Sequence, residues 1–173
     1  MPVHPIVFSD NPLLRKKSRR VRRLDPAVRQ LIDDMVETMH AENGIGLAAI
    51  QIGVPERVIV IQLPEDEENL DGGKLHVVVN PELARKSREM EEGNEGCLSV
   101  PGWAGKVSRH YGVTVKGVDS HGRAVRIKTE GLLARVFQHE IDHCDGTLFI
   151  DHIEDPENIW PVPEGEEEAA EAA

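Results

Sequence analysis

Residues 130–144 read EGLLARVFQHEIDHC, and the way this stretch folds decides the rest. Placed at 100° per residue, Leu132, Leu133, Val136, Phe137 and Ile141 form one wide apolar arc, the pattern of a helix. Asp145 and Gly146 follow as a stop signal. His139 and His143 fall at the margin of the arc beside Leu132 and Val136, so both imidazoles face inward. Arg135, Gln138 and Asp142 share the narrow opposite arc. The helix is therefore expected to be central and mostly buried.

Two histidines at i and i+4 lie on one helix face with Cβ atoms roughly 5–6 Å apart, which lets both rings converge on one ion. Glu140 projects about 100° away from His139, a direction suited to a water on that ion rather than to the ion itself. The structural alternative is two core histidines with a glutamate paired to a base. A charged glutamate beside two inward histidines is costly unless something balances it. A catalytic site needs a third protein ligand and one open position. Cys97, in EGCLSVPG at residues 95–102, is the best candidate, since a thiolate binds iron(II), zinc or nickel well. A free cysteine is more often a small buried hydrophobe. Cys144 adjoins His143 but points about 100° away and reads as packing. His4, His40, His76, His110, His121 and His152 have no partner at ligand spacing and read as surface or loop residues.

Residues 44–53, GIGLAAIQIG, are a third element. Read alone they are a helix stop and an apolar loop. They lack the Lys-Ser/Thr of a phosphate loop and do not follow a strand as a dinucleotide fingerprint would. Gln51 is nonetheless a polar amide in an apolar run, and a developing oxyanion would satisfy it if buried.

Elsewhere the patterns are plain. Residues 25–43 read as a helix with Asp25 as N-cap and Pro26 at the first position. Strands are expected at 57–62 and 76–80, separated by an acidic loop, and residues 112–128 read as a hairpin turning near 119–122. A short strand is expected in TLFIDHI, residues 147–153. Helices mixed with hairpins, without repeating βαβ units, imply an α+β fold: one domain, mixed or antiparallel sheets around the central HExxH helix.

At 173 residues the chain is long enough for one core without staples. The net charge is −11, and the eight acids of residues 154–173, with no Lys or Arg, supply most of it. We expect a domain over 1–153 and a flexible acidic tail over 154–173. The basic stretch RKKSRRVRR, residues 15–23, reads as a solvated face that could touch ribosomal RNA. No apolar run is long enough to span a bilayer. Two cysteines are too few for a disulfide scaffold and fit a reducing compartment. The N-terminus lacks a secretory pattern, so a cytoplasmic protein is expected, although a processed organellar form would read the same.

GIGLAAIQ, EGCLSVPG and QHEIDHCDG, in this order and spacing, resemble the motifs of peptide deformylases, in the form of the type 1 branch. The likeness runs from NPLLRK to TLFIDHI and leaves out the acidic tail. It implies removal of the formyl group from N-formylmethionyl nascent peptides. It also implies one divalent ion on Cys97, His139 and His143, iron(II) in the cell, with zinc, nickel or cobalt accepted. Glu140 would be the general acid and base, while Gln51 and the Leu98 backbone N–H would polarise the formyl oxygen. Ile45 and Gly46 would line the cleft, and Leu132 and Val136 would wall a methionine pocket. Cys144 departs from the leucine common in the family. The partners implied are nascent peptides and transiently the ribosome, with neither membrane nor specific DNA, for a monomeric enzyme. A metallopeptidase cleaving internal amides and a non-catalytic metal-stabilised module are the rival readings. The Cys ligand and the GIGLAAIQ loop argue against the first, Glu140 and Gln51 against the second.

Overall fold

Hydrophobic alternation on both faces of its central strands makes one sheet the scaffold. The computed structural model describes residues 2–66 and 71–163. Its elements are α1 (Pro26–Ala41), β1 (Gly46–Ala48), β2 (Val58–Gln62), β3 (Leu75–Lys86), β4 (Met90–Cys97), β5 (Val100–His110), β6 (Gly112–Val118), β7 (Ala124–Glu130), α2 (Gly131–Cys144) and β8 (Ile159–Pro161). The order β1-β2-β3-β6-β7 builds a five-stranded antiparallel sheet, and β4-β5-β8 a three-stranded one. Along β2, Ile59 and Ile61 join the core cluster around α2, while Val58 and Val60 join the cluster around α1. The expected α+β architecture with a central HExxH helix is what the chain adopts.

Local chemistry explains the boundaries. The Asp25 carboxylate accepts from the Val28 N–H at 2.9 Å and Pro26 opens α1. The helix ends at Ala41, two residues earlier than expected, and Asn43 turns the chain with φ 55°. The hairpin of β6 and β7 lies where the alternation put it. Residues 67–70 of the acidic loop lie outside the described residues.

Three expectations change. The strand expected to stop at Asn80 continues to Lys86. Asn80 takes φ 55°, and its amide exchanges two hydrogen bonds with the Val21 backbone, at 2.8 and 2.9 Å. The resulting register shift lets β3 pair first with β2 and then with β6. TLFIDHI is no strand: Phe149–His152 form a 3-10 turn, with the Asp151 carboxylate accepting from the Leu148 N–H. That turn sends both Leu148 and Phe149 into the core, which an alternating strand could not do. His76, expected at the surface, is buried edge-on against Phe137 with ring centroids 5.7 Å apart. The acidic end is also tied down in part, because β8 pairs with β5; residues 164–173 lie outside the described residues.

Among the described residues, no helix is long and apolar enough to cross a membrane. Asp25→Ala removes the cap of α1 and leaves an N–H without its partner. It should cost about 1 kcal/mol of unfolding free energy, read from the urea midpoint at unchanged m-value.

Candidate metal centre

The helix α2 is buried on nearly all of its surface, including Arg135 and Gln138 of the polar arc, while Asp142 keeps partial exposure. Arg135 and Gln138 are each 5% exposed. Gln138 exchanges hydrogen bonds with the His110 backbone, and Arg135 donates to Glu95 and to the carbonyls of Val107 and Glu91. With every face spoken for, the rotation of α2 is fixed, and with it the directions of His139, Glu140 and His143.

Cys97 ends β4 and meets both histidines. One ligand atom from each of Cys97, His139 and His143 lies within 4.8 Å of the other two, and all three residues are buried. Cys97 Sγ is 3.3 Å from His143 Nε2. His139 Nδ1 is held by Glu95 at 2.8 Å, which leaves Nε2 without a hydrogen-bond partner among the described residues. Burial pushes His143 well below the ordinary imidazole value, so its ring is neutral and has a lone pair to give. Burial acts in the same direction on His139, but Cys97 and Glu95 beside it raise it well above that value. The cluster therefore favours positive charge at this point. One thiolate, two imidazoles and an orphaned buried nitrogen fit a divalent transition ion. Cys144 is not in the cluster: it packs in the core, and burial pushes its thiol up to about 12, which makes it inert.

Glu140 is fully buried, and neither carboxylate oxygen has a partner among the described residues. Burial pushes it up to about 7, a value matched to proton transfer near neutral pH. Its Oε1 lies 4.0 Å from His139 Nε2, beside the ligand cluster rather than within it. Opposite lies Gly46, where an added Cβ would stand 2.8 Å from Glu140 Oε1 and 3.0 Å from Val136 Cγ1. Two residues back, a Cβ on Gly44 would stand 2.9 Å from Leu98 Cδ1. The two glycines thus let the backbone around Ile45 pass between α2 and the turn at Leu98. Val136 is buried against this strip, and Leu132 is half-buried one turn earlier on α2.

Gln51 sits in a 3-10 turn, Ala49–Ile52, and is fully buried. Its carbonyl accepts from the Ala48 N–H at 2.9 Å, which braces the loop. Its amide nitrogen points to Cys97 Sγ at 3.6 Å and Ser99 Oγ at 3.2 Å, so the donor end faces the cluster. Leu98 and Ser99 form the tight link between β4 and β5. A cavity of about 260 Å³ opens beside Cys97 and Leu98, walled by Ile6, Phe8, Glu42 and Trp103. Leu132 and Val136 lie outside its lining.

Sequence reasoning missed Glu95. It is 3% exposed and receives Arg109 through two bonds of 2.9 Å, Arg135 at 2.7 Å and His139 at 2.8 Å. Burial alone would raise its carboxyl, but the bonds from Arg109 and His139 hold it well below the usual carboxylate range. The signal was present: in a strand, residues i and i+2 share a face, so the Glu of NEGC points where Cys97 points. Ser99 was missed in the same stretch.

With this geometry in view, the likenesses to known proteins are informative. The sequence profile of the family described as polypeptide deformylase matches residues 3–158. A peptide deformylase of Thermomicrobium roseum is 51% identical, over 100% of this chain and 98% of its own. The crystal structure of the Ehrlichia chaffeensis peptide deformylase in complex with actinonin superposes with a TM-score of 0.85 at 41% identity, covering 90% of this chain and 91% of that one. A Met-Ala-Ser-bound class I type b peptide deformylase from Acinetobacter baumannii gives 0.83 at 36% identity, with 88% and 99% covered.

Glu95→Ala would leave Arg109 and Arg135 buried without their counter-charge and release His139 Nδ1. Removing one member of such a buried network typically costs about 3–5 kcal/mol. The variant should show that loss in guanidinium unfolding, whereas Glu92→Ala, exposed on the same strand, should stay within about 0.5 kcal/mol of the parent.

Proposed function

The chain belongs to the polypeptide deformylase family, and from that premise we propose which residues carry its reaction. The family removes the N-terminal formyl group from nascent polypeptides. Its members are metalloenzymes, and this chain has a Cys-His-His cluster to match. The observation that carries the residue assignment is the buried, unpartnered Glu140 carboxylate beside that cluster.

Cys97, His139 and His143 hold one divalent ion; a soft thiolate with two imidazoles suits iron(II) as the cellular metal and also accepts zinc, nickel or cobalt. The bound ion supplies Lewis acidity, which lowers the pKa of water from about 16 to about 7. Glu140 takes a proton from the attacking water and passes it to the departing amine. Water and the formamide thereby become formate and a free methionine amino group. Gln51, through the amide hydrogens now turned to Cys97 and Ser99, and the Leu98 N–H donate to the formyl oxygen as it gains charge, each such donor worth roughly 3–4 kcal/mol. β1 is an edge strand, and an extended substrate can add to it as a further strand along Ile45 and Gly46. Leu132 and Val136 contribute apolar surface beside His139 for the methionine side chain. Residues 1–153 carry this activity, and the acidic residues 154–173 add charge rather than chemistry. The enzyme works as a cytoplasmic monomer on chains emerging from the ribosome, which it meets transiently.

Two measurements test the assignment. Metal analysis of anaerobically purified protein should find most of the ion lost in Cys97→Ala and retained in Cys144→Ala; equal loss would show that the wrong sulfur was chosen. Glu140→Gln should keep its metal and fold while kcat for formate release from a formyl-Met peptide falls about 10²–10⁴-fold. Turnover near the parent value would remove Glu140 from the reaction.

A further inference from the structure

The two faces of the five-stranded sheet are covered unequally. The core cluster around α2 takes side chains from every strand of it, out to Val125 and Ile127 on β7. On the other face the cluster around α1 draws on β1, β2 and the start of β3, and reaches β6 only at Val118. The uncovered remainder carries Arg85, Lys116, Arg126 and Lys128, all exposed. The register sets Lys116 directly opposite Arg126, and sets Thr114 opposite both Lys128 and Arg85. Like charges opposed across strands destabilise a sheet, so this face is not what stability alone would select. Glu82 answers Lys116 at 3.5 Å and Arg20 at 3.9 Å. Among the described residues, Arg85, Lys86, Arg126 and Lys128 have no carboxylate within ion-pair distance. These four cations line a groove of about 530 Å³, Lys86 entering it from the register position opposite Val113; Thr129 and Ser87 line it too, the Ser87 hydroxyl already donating to the Glu89 carbonyl, and Glu130 is its single carboxylate.

We infer that this half-face binds the phosphate backbone of double-helical RNA. Unpaired cations side by side are the groups that contact phosphate oxygens, and the Thr129 hydroxyl among them can meet the 2′-OH that distinguishes RNA. No aromatic side chain lines the groove to stack an unpaired base. No large apolar residue other than Val113 lines it to enter a lipid surface. On a chain of net charge −11, a basic groove also sets up a local field that attracts polyanions.

The test is fluorescence anisotropy of a labelled RNA hairpin titrated with the full chain across a KCl series. Four phosphate contacts predict an affinity falling about 10²-fold between 50 and 200 mM salt. The double variant Arg126→Glu/Lys128→Glu should weaken binding at least tenfold, while Arg29→Glu/Lys74→Glu, exposed and outside both the groove and the basic stretch 15–23, should change it less than twofold. Release of formate from a small formyl-Met peptide should be unchanged in both, which reports an intact fold. If charge reversal impairs folding, Arg126→Gln/Lys128→Gln removes the charges at similar size and must still weaken binding. RNA affinity unaffected by either groove variant would overturn the inference. So would binding of polyglutamate or phosphatidylserine vesicles as tight as that of the hairpin.

Discussion

A single buried carboxylate ties the parts of this molecule together. Glu95 belongs to the small sheet, Arg135 and His139 to the central helix, and Arg109 to the neighbouring strand that also reaches Asp142 on that helix. Two guanidinium groups face two carboxylates, Glu95 deeply buried and Asp142 at the partly exposed end of the cluster. Such a network is exacting: every member is satisfied only when sheet and helix meet at one separation and one rotation. That meeting is also what brings Cys97, two residues along from Glu95, against histidines more than forty positions later in the chain.

The Glu140 carboxylate, the proposed proton carrier, owes its character to the opposite side of the helix. Gly46 has no side chain, so the strand presses against Glu140 and excludes solvent from it. Burial without a partner raises the affinity of Glu140 for a proton. Glu95, as deeply buried but surrounded by bases, is driven the other way. The two glutamates on either side of the Cys-His-His cluster therefore differ in proton affinity in opposite directions, set by their neighbours and not by their residue type.

How much of this could be read from the chain follows from the same physics. The two helices, the hairpin and the central strand show in the sequence because their apolar residues recur at the period of the element. The His-Glu-His spacing was legible because i and i+4 share a face. The small sheet was not legible. Its strand MEEGNEGC turns a glutamate inward instead of an aliphatic residue, and the inward set of β5 includes Arg109. A polar residue at a core position looks like a surface residue until its partners, distant in sequence, are known. Asn80 was misread for a related reason: its side-chain amide takes over the role of a neighbouring backbone, which no periodicity records.

The outermost strand of the larger sheet, β1, is three buried residues long and runs straight into a 3-10 turn. At about 3.3 Å per residue it offers roughly 10 Å of pairing, so the substrate strand proposed to add there would be gripped only at its start. Recognition through backbone groups is blind to side chains, and so short a template gives little weight to what lies further along. On that proposal the enzyme trades selectivity for breadth. It can serve the great variety of sequences that a genome encodes behind the same first residue, and its short edge gives other extended chains little on which to build an aggregate.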